Sequence, residues 1–393
     1  MRTSRIVVVT AAVGALAGGL VTAAVGGALD SAPAKPGGVP APALPAAAVV
    51  AEPIAVTSTE TTCEVARTSL PAGTATFAIT NRGAKVTEFY VYAAGDNALG
   101  ELENIAPGKT GELRVELPAG TYETACRPGS AGKGIRGRLT VKGESAPLSA
   151  NDALALATDT YQRYVWSQAG ALLSSTQDFA AAVKKGDMAR AKELYPVART
   201  YWERIEPVAG LFGTLDPRVD GRVEVIDEGL EFTGFHRLER DLWETGDVSK
   251  SGPYADKLVA DVTELVTLSH AEKLSPLIMA NGAKELLDEI ATGKITGEEN
   301  RYSHTDLWDF QANLEGSATA IDALRPFLRQ RAPALLTRLD AEFENVFSTL
   351  RKHRVGAAWK LHDKLSQEEL KELSDAVNAL AEPVSKVAAV VAG

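Results

Sequence analysis

Near Pro147 the chain stops alternating short β-prone runs with turn signals and becomes helical in pattern to its end. A switch made once and not reversed calls for two separately cored domains, and 393 residues are enough for both. Before the switch, Thr74–Thr80, Thr87–Tyr92 and Gly137–Lys142 read as strands, separated by turn signals at 71–73, 81–83, 107–108 and 118–120. Strands at that spacing predict an all-β sandwich over residues 56–143. After the switch, Ser149 and Asp152 read as the N-cap and capping-box partner of a first helix. Leu194, Val197, Tyr201, Ile205, Val208 and Phe212 then recur near the spacing of a buried helix face, and similar stripes return to Val390. Residues 149–393 are therefore expected to form an all-α helical bundle.

Ahead of both domains, Arg2 and Arg5 precede an uncharged run from Ile6 to Leu29. Residues 1–31 read as a signal peptide or an N-terminal membrane anchor, and the charge placement puts the rest of the chain outside the cytoplasm, in a periplasm or at a cell surface. Residues 32–55, rich in Pro, Ala and Gly, read as a linker. The formal charge of −10, from 51 acidic and 41 basic residues, opposes the counterion release that drives nucleic-acid binding and suits cations instead. Nothing in the sequence sets the oligomeric state.

The segment Val223 to Trp243 carries the most chemistry. Read as one helix, it has Val223, Ile226, Leu230 and Gly234 on one face and Phe232, His236, Glu239 and Trp243 on another. A His and a Glu on a buried stripe need compensation, because an unpaired buried carboxylate costs several kcal/mol. A metal ion would supply it; so would pairing of the two with each other or with Arg237 and Arg240. Glu203 and Glu206, three apart, are candidates to complete a site. Asp216 and Asp220 read as turn and cap residues. In the run 302–311, Ser303 and Asp306 carry a capped-helix signature, while His304 and Asp309 are candidate ligands from a facing helix. His270, His353 and His362 sit among charges and read as surface residues.

The sandwich lacks both histidine and methionine, so a type 1 copper centre is excluded on inventory. Cys63 and Cys126 either form a disulfide or, with Glu88 and Glu103, make a thiolate and carboxylate metal site.

The run Gly234-Phe-His-Arg-Leu-Glu239 resembles the Gly-x-His-x-x-Glu motif of imelysin-like proteins. The runs 201–208, 302–307 and 309–313, with Cys63-Glu64, Glu103 to Gly108 and Cys126 before them, resemble the EfeO family of bacterial iron-uptake proteins. That resemblance covers nearly everything after the linker and implies a cupredoxin-like sandwich followed by an imelysin-like bundle. It implies an extracytoplasmic component that captures ferrous or ferric iron through His236, Glu239 and acidic neighbours such as Glu203, with zinc or copper as surrogates. It also implies a second metal site at Cys63, Glu88, Glu103 and Cys126, and as partners a membrane iron permease and a secreted haem peroxidase.

Two other readings compete with capture and delivery. One is a zinc metallopeptidase using the His-x-x-Glu pair with a distant ligand such as His304, although the chain lacks His-Glu-x-x-His and no general base stands out. The other is a non-catalytic surface protein whose Trp166, Trp202 and Trp308 stack on sugars, though at these spacings tryptophans are more often core. No catalytic residue is assigned.

Overall fold

In the computed structural model, residues 52–130 and 132–393 are described. The expected export segment and residues 32–51 of the linker lie outside them. Nine strands come first: β1 (Ile54–Ser58), β2 (Cys63–Val65), β3 (Ser69–Pro71), β4 (Gly73–Asn81), β5 (Thr87–Tyr92), β6 (Ala98–Ile105), β7 (Thr110–Leu117), β8 (Gly120–Cys126) and β9 (Ile135–Lys142). They form a four-stranded sheet in the order β2-β1-β4-β7 and a five-stranded sheet in the order β3-β9-β8-β5-β6. The pairs β1/β4 and β3/β9 are parallel.

Alternation along the strands builds the core. Phe77 and Ile79 of β4 and Leu113, Val115 and Leu117 of β7 meet Phe89, Val91, Leu139 and Val141 from the opposite sheet. The same alternation sends Glu88, Tyr90 and Tyr92 to the other face of β5. Cys63 on β2 and Cys126 on β8 form a disulfide, S–S 2.04 Å, that ties one sheet to the other.

The helices follow: α1 (Asp152–Lys185), α2 (Met188–Glu203), α3 (Leu215–Val219), α4 (Gly234–Arg240), α5 (Gly252–Ala271), α6 (Pro276–Thr292), α7 (Asp306–Arg331), α8 (Pro333–Arg351), α9 (Gln367–Val384) and α10 (Val387–Ala392). A short hairpin, Arg354–Val355 with Ala358–Trp359, interrupts them. α1 buries Leu154, Ala157, Tyr161, Val165, Leu172 and Phe179 at spacings of three, four and seven, and packs on α2, α5 and α7. No helix among the described residues is long and apolar enough to cross a membrane.

Local chemistry moves several expected boundaries. The cap of α1 is Asn151, whose side chain accepts from Ala153 N (3.0 Å) and Leu154 N (3.3 Å), not Ser149. α2 turns Ala191, Tyr195, Ala198 and Trp202 inward and leaves Val197 exposed, one position off the expected stripe. The expected single helix from Val223 to Trp243 is broken: a 3-10 turn over Val223–Glu228 ends at Gly229 (φ 80°), and α4 starts afresh at Gly234. Ile226 and Leu230 are accordingly exposed.

The sandwich and bundle pack directly on each other. Asn97 Nδ2 donates to Glu272 Oε1 (3.0 Å), Asn281 Nδ2 to Arg114 O (2.8 Å) and Glu103 N to Glu285 Oε2 (3.2 Å). Between them lies a cavity of about 460 Å³, lined by Tyr90, Glu101 and Glu103 from the sandwich and by Glu206, Asp220 and Glu299 from the bundle, among others.

Candidate metal centre

Gly234 decides how α4 enters the bundle. Its φ is +76°, and a Cβ there would lie 2.2 Å from the carbonyl oxygen of Val219, so glycine lets the helix start press against the segment ending α3. Thr233 Oγ1 donates to Arg218 O (3.0 Å) and fixes the same junction. The approach brings His236, on the first turn of α4, to Asp220, just past α3.

His236 and Glu239 are both buried, and they do different jobs. His236 Nδ1 lies 3.0 Å from Glu239 Oε2. Glu239 Oε1 accepts from Ser303 N and Ser303 Oγ (both 2.8 Å) and from Tyr302 N (3.1 Å). The carboxylate is thus occupied on both oxygens, and burial is outweighed by His236 and Ser303, which hold its pKa below the usual range. Its place is behind the imidazole, orienting it. Ser303 therefore bonds Glu239 instead of capping α7, which begins after Thr305.

The other imidazole nitrogen, Nε2, is buried without a hydrogen-bond partner among the described residues. It faces Asp220 Oδ1 at 3.5 Å and Glu299 Oε1 at 3.6 Å. Asp220, His236 and Glu299 place ligand atoms within 4.8 Å of one another, and so do Glu203, Glu299 and Asp309. Glu299 belongs to both groups. Imidazole and carboxylate oxygen are ligands for iron or zinc of intermediate hardness, so the donor set fits such an ion.

Cations already balance part of this charge. Arg199 of α2, fully buried, donates from Nε to Asp309 Oδ2 (3.0 Å) and from Nη2 to Glu299 Oε1 (2.9 Å), and also pairs with Glu203 and Asp220. Lys294 Nζ reaches Glu206 (2.7 Å) and Glu203 (3.1 Å), and Asn313 Nδ2 bonds the same two carboxylates. Burial opposes the charge on Glu299, but Lys294, His236, Arg199 and Arg222 outweigh it and keep the group ionised. Burial and Arg199 oppose protonation of His236; Asp220, Glu239 and Glu299 outweigh them and raise its pKa to about 9.

The sequence candidates thus separate. His236, Glu239, Glu203 and Asp309 all reach the centre, Glu203 and Asp309 chiefly as partners of Arg199. Glu206 is on its edge, held by Lys294. His304 does not join either ligand group: it sits on the loop before α7 at φ +58°, where its carbonyl accepts from His362 N (2.9 Å). His353, expected at the surface, is buried. Asp220, read as a turn residue, and Glu299, not singled out at all, are the two carboxylates facing Nε2. Arg199 and Lys294 were also missed. Only Arg199 left a trace, a cation among the inward positions Tyr195, Ala198 and Trp202.

In the sandwich, Cys63 and Cys126 are oxidised to each other, and no thiolate is left for a metal. Strand alternation also parts them from the carboxylates: Cys126 is in the core, while Tyr90 Oη donates to Glu103 Oε1 (2.6 Å) and Glu88 Oε2 (3.0 Å) on the outer face. Arg127 pairs with Glu88 at 3.2 Å. Burial pushes Glu103 well above the usual carboxylate range, with Glu88 and Glu101 adding to the shift.

A β-sandwich with a cavity-lining acidic face, docked on a bundle with a buried imidazole and carboxylate cluster, defines a two-domain class, and family models match both halves. Residues 40–141 match the cupredoxin-like domain and residues 157–387 match imelysin, a family grouped with peptidases. Along 341 residues the chain is 38% identical to the iron uptake system component EfeO of Escherichia coli O157:H7, covering 85% of this chain and 90% of that one. It is 37% identical, with the same coverage, to the iron uptake system component EfeO of Escherichia coli K12 and of Shigella flexneri. The chain belongs to the EfeO family.

Proposed function

We propose that this protein is an extracytoplasmic component of an iron-uptake system that captures an iron ion at His236 Nε2, Asp220 and Glu299 and passes it to a membrane permease. The observation that carries the reading is the buried Nε2 of His236, which has no hydrogen-bond partner among the described residues and faces two carboxylates at 3.5 and 3.6 Å. At those separations the ring makes only long ion pairs with the two carboxylates, and a cation that replaces its proton would be met by all three ligand atoms.

Each residue has a part in the capture. Glu239 holds Nδ1 and so aims Nε2; Asp220 and Glu299 supply oxygen. Because His236 is protonated near neutral pH in the absence of the ion, binding releases a proton from Nε2. The cavity between the domains places Glu101 and Glu103 of the sandwich with Asp220 and Glu299, giving the sandwich a part in cation entry. The name of the 38% identical relative, an iron uptake system component, supports iron as cargo and other components of such a system as partners; a membrane permease and a secreted haem peroxidase are the partners assigned in this reading. Binding and release, not peptide hydrolysis, are the work assigned to the His-x-x-Glu pair.

The test is calorimetric titration of the full chain with ferrous iron under anaerobic conditions and with zinc. One tightly held ion is expected, lost in His236→Ala and in Asp220→Asn. Undiminished binding in both variants would sink the assignment.

A further inference from the structure

Arg199 is enclosed by the same carboxylates that would hold an ion. Of its four partners, Asp220 and Glu299 are the pair facing His236 Nε2. The other two, Glu203 and Asp309, converge with Glu299 on a second locus where ligand atoms lie within 4.8 Å of one another, and the guanidinium fills it. Asp309 also carries a buried Oδ1 that has no hydrogen-bond partner among the described residues. The rings of Tyr195 and Phe235 stand 5.9 and 5.8 Å from the guanidinium carbon and keep it in place.

We propose that Arg199 is a tethered counter-cation that occupies a second cation position and competes with the captured ion for Asp220 and Glu299. The inference rests on reading His236, Asp220 and Glu299 as the capture site. A guanidinium does not give up its proton at ordinary pH, so its charge persists while the ion is bound. An ion entering beside His236 draws Asp220 and Glu299 toward itself and leaves Arg199 on Glu203 and Asp309. When the ion departs, the guanidinium recovers all four. Arg199 thus limits affinity and keeps capture reversible, as delivery requires.

A simple brace would act with the opposite sign: if Arg199 only held the carboxylates in position, removing it would weaken binding. The full chain, Arg199→Met and Arg199→Lys are titrated with zinc, which has no redox chemistry. Competition predicts that Arg199→Met binds about tenfold more tightly or takes a second ion, while Arg199→Lys stays within a few-fold of the parent. Unchanged or weaker binding by folded Arg199→Met, with no second ion, overturns the proposal. If Arg199→Met is unfolded without metal, thermal unfolding with zinc decides: a recovered cooperative transition shows that an ion replaces the guanidinium charge, and continued lack of a fold overturns the idea. Zinc binding absent from the parent chain would remove the capture site itself, an outcome distinct from a parent that binds and an Arg199→Met that gains nothing.

Discussion

His236 turns Nδ1 toward Glu239 Oε2 at 3.0 Å, with Tyr195 Oη at 3.4 Å beside it, and Nε2 then faces Asp220 and Glu299. A carboxylate behind an imidazole fixes both its orientation and its tautomer. Glu239→Gln keeps the shape but offers an amide whose N–H groups favour a bare Nδ1, which puts the proton on the nitrogen that must bind the ion. Cation affinity is expected to fall about 10–100-fold in Glu239→Gln with the fold retained. Titration with zinc alongside circular dichroism checks both halves; wild-type affinity in a folded variant would reassign Glu239.

Gly234→Ala tests how the centre is assembled. The added Cβ meets Val219 O at 2.2 Å on a residue whose φ is +76°. Positive φ and a backbone clash each cost on the order of 1–3 kcal/mol, so a loss of about 2 kcal/mol or more in denaturant unfolding is expected. Any relief comes from α4 moving off Val219, which carries His236 away from Asp220, so ion binding should weaken as well.

The strands were legible because alternation shows locally: Phe77 and Ile79 inward along β4 follow from the sequence of that strand alone. The Gly-x-His-x-x-Glu run likewise marked its helix. Asp220 and Glu299 were not legible, since they come from segments nearly 80 positions apart and meet only through packing at Gly234 and the loop after α6. The break at Gly229 escaped for another reason. Periodicity continues across it in the sequence, but the glycine adopts φ 80° and ends the turn. Ser303 shows two local rules in competition, with a buried Glu239 drawing the hydroxyl that a helix start would otherwise use.

The disulfide separates the domains by experiment. Cys63 and Cys126 lie 63 positions apart and join the two sheets. Replacing both with Ser is expected to cost the sandwich roughly 2–5 kcal/mol, read as a lower denaturant midpoint. Zinc affinity at the bundle should stay within a few-fold of the parent. A large loss of affinity with the bundle still helical would mean that the sulfurs or the sandwich face take part in holding the ion.

Stability should fall as the pH rises above about 5, because carboxyl groups along the cavity resist ionisation. Burial, with Glu285 and Asp216 nearby, raises Glu101 to about 8; burial raises Glu285 to about 7 despite Lys284; burial, with Asp220 and Glu289, raises Asp216 to about 7. In the unfolded chain such groups titrate near 4. Between those values the folded state holds protons that the unfolded state has lost, so raising the pH favours unfolding. His236, raised to about 9 from 6.5, acts in the same direction between those two values. Glu239 and Glu299, held low, lose their contribution only in more acid solution. Metal-free protein is therefore expected to be more stable at pH 5.5 than at pH 8.5 by more than about 1 kcal/mol, less than one pKa unit on each of two such groups. Denaturant midpoints at the two pH values measure it, and a higher midpoint at pH 8.5 would show that these carboxyls are ionised in the folded protein. A saturating cation should narrow the difference, since its charge offsets the repulsion that ionisation creates along the cavity wall.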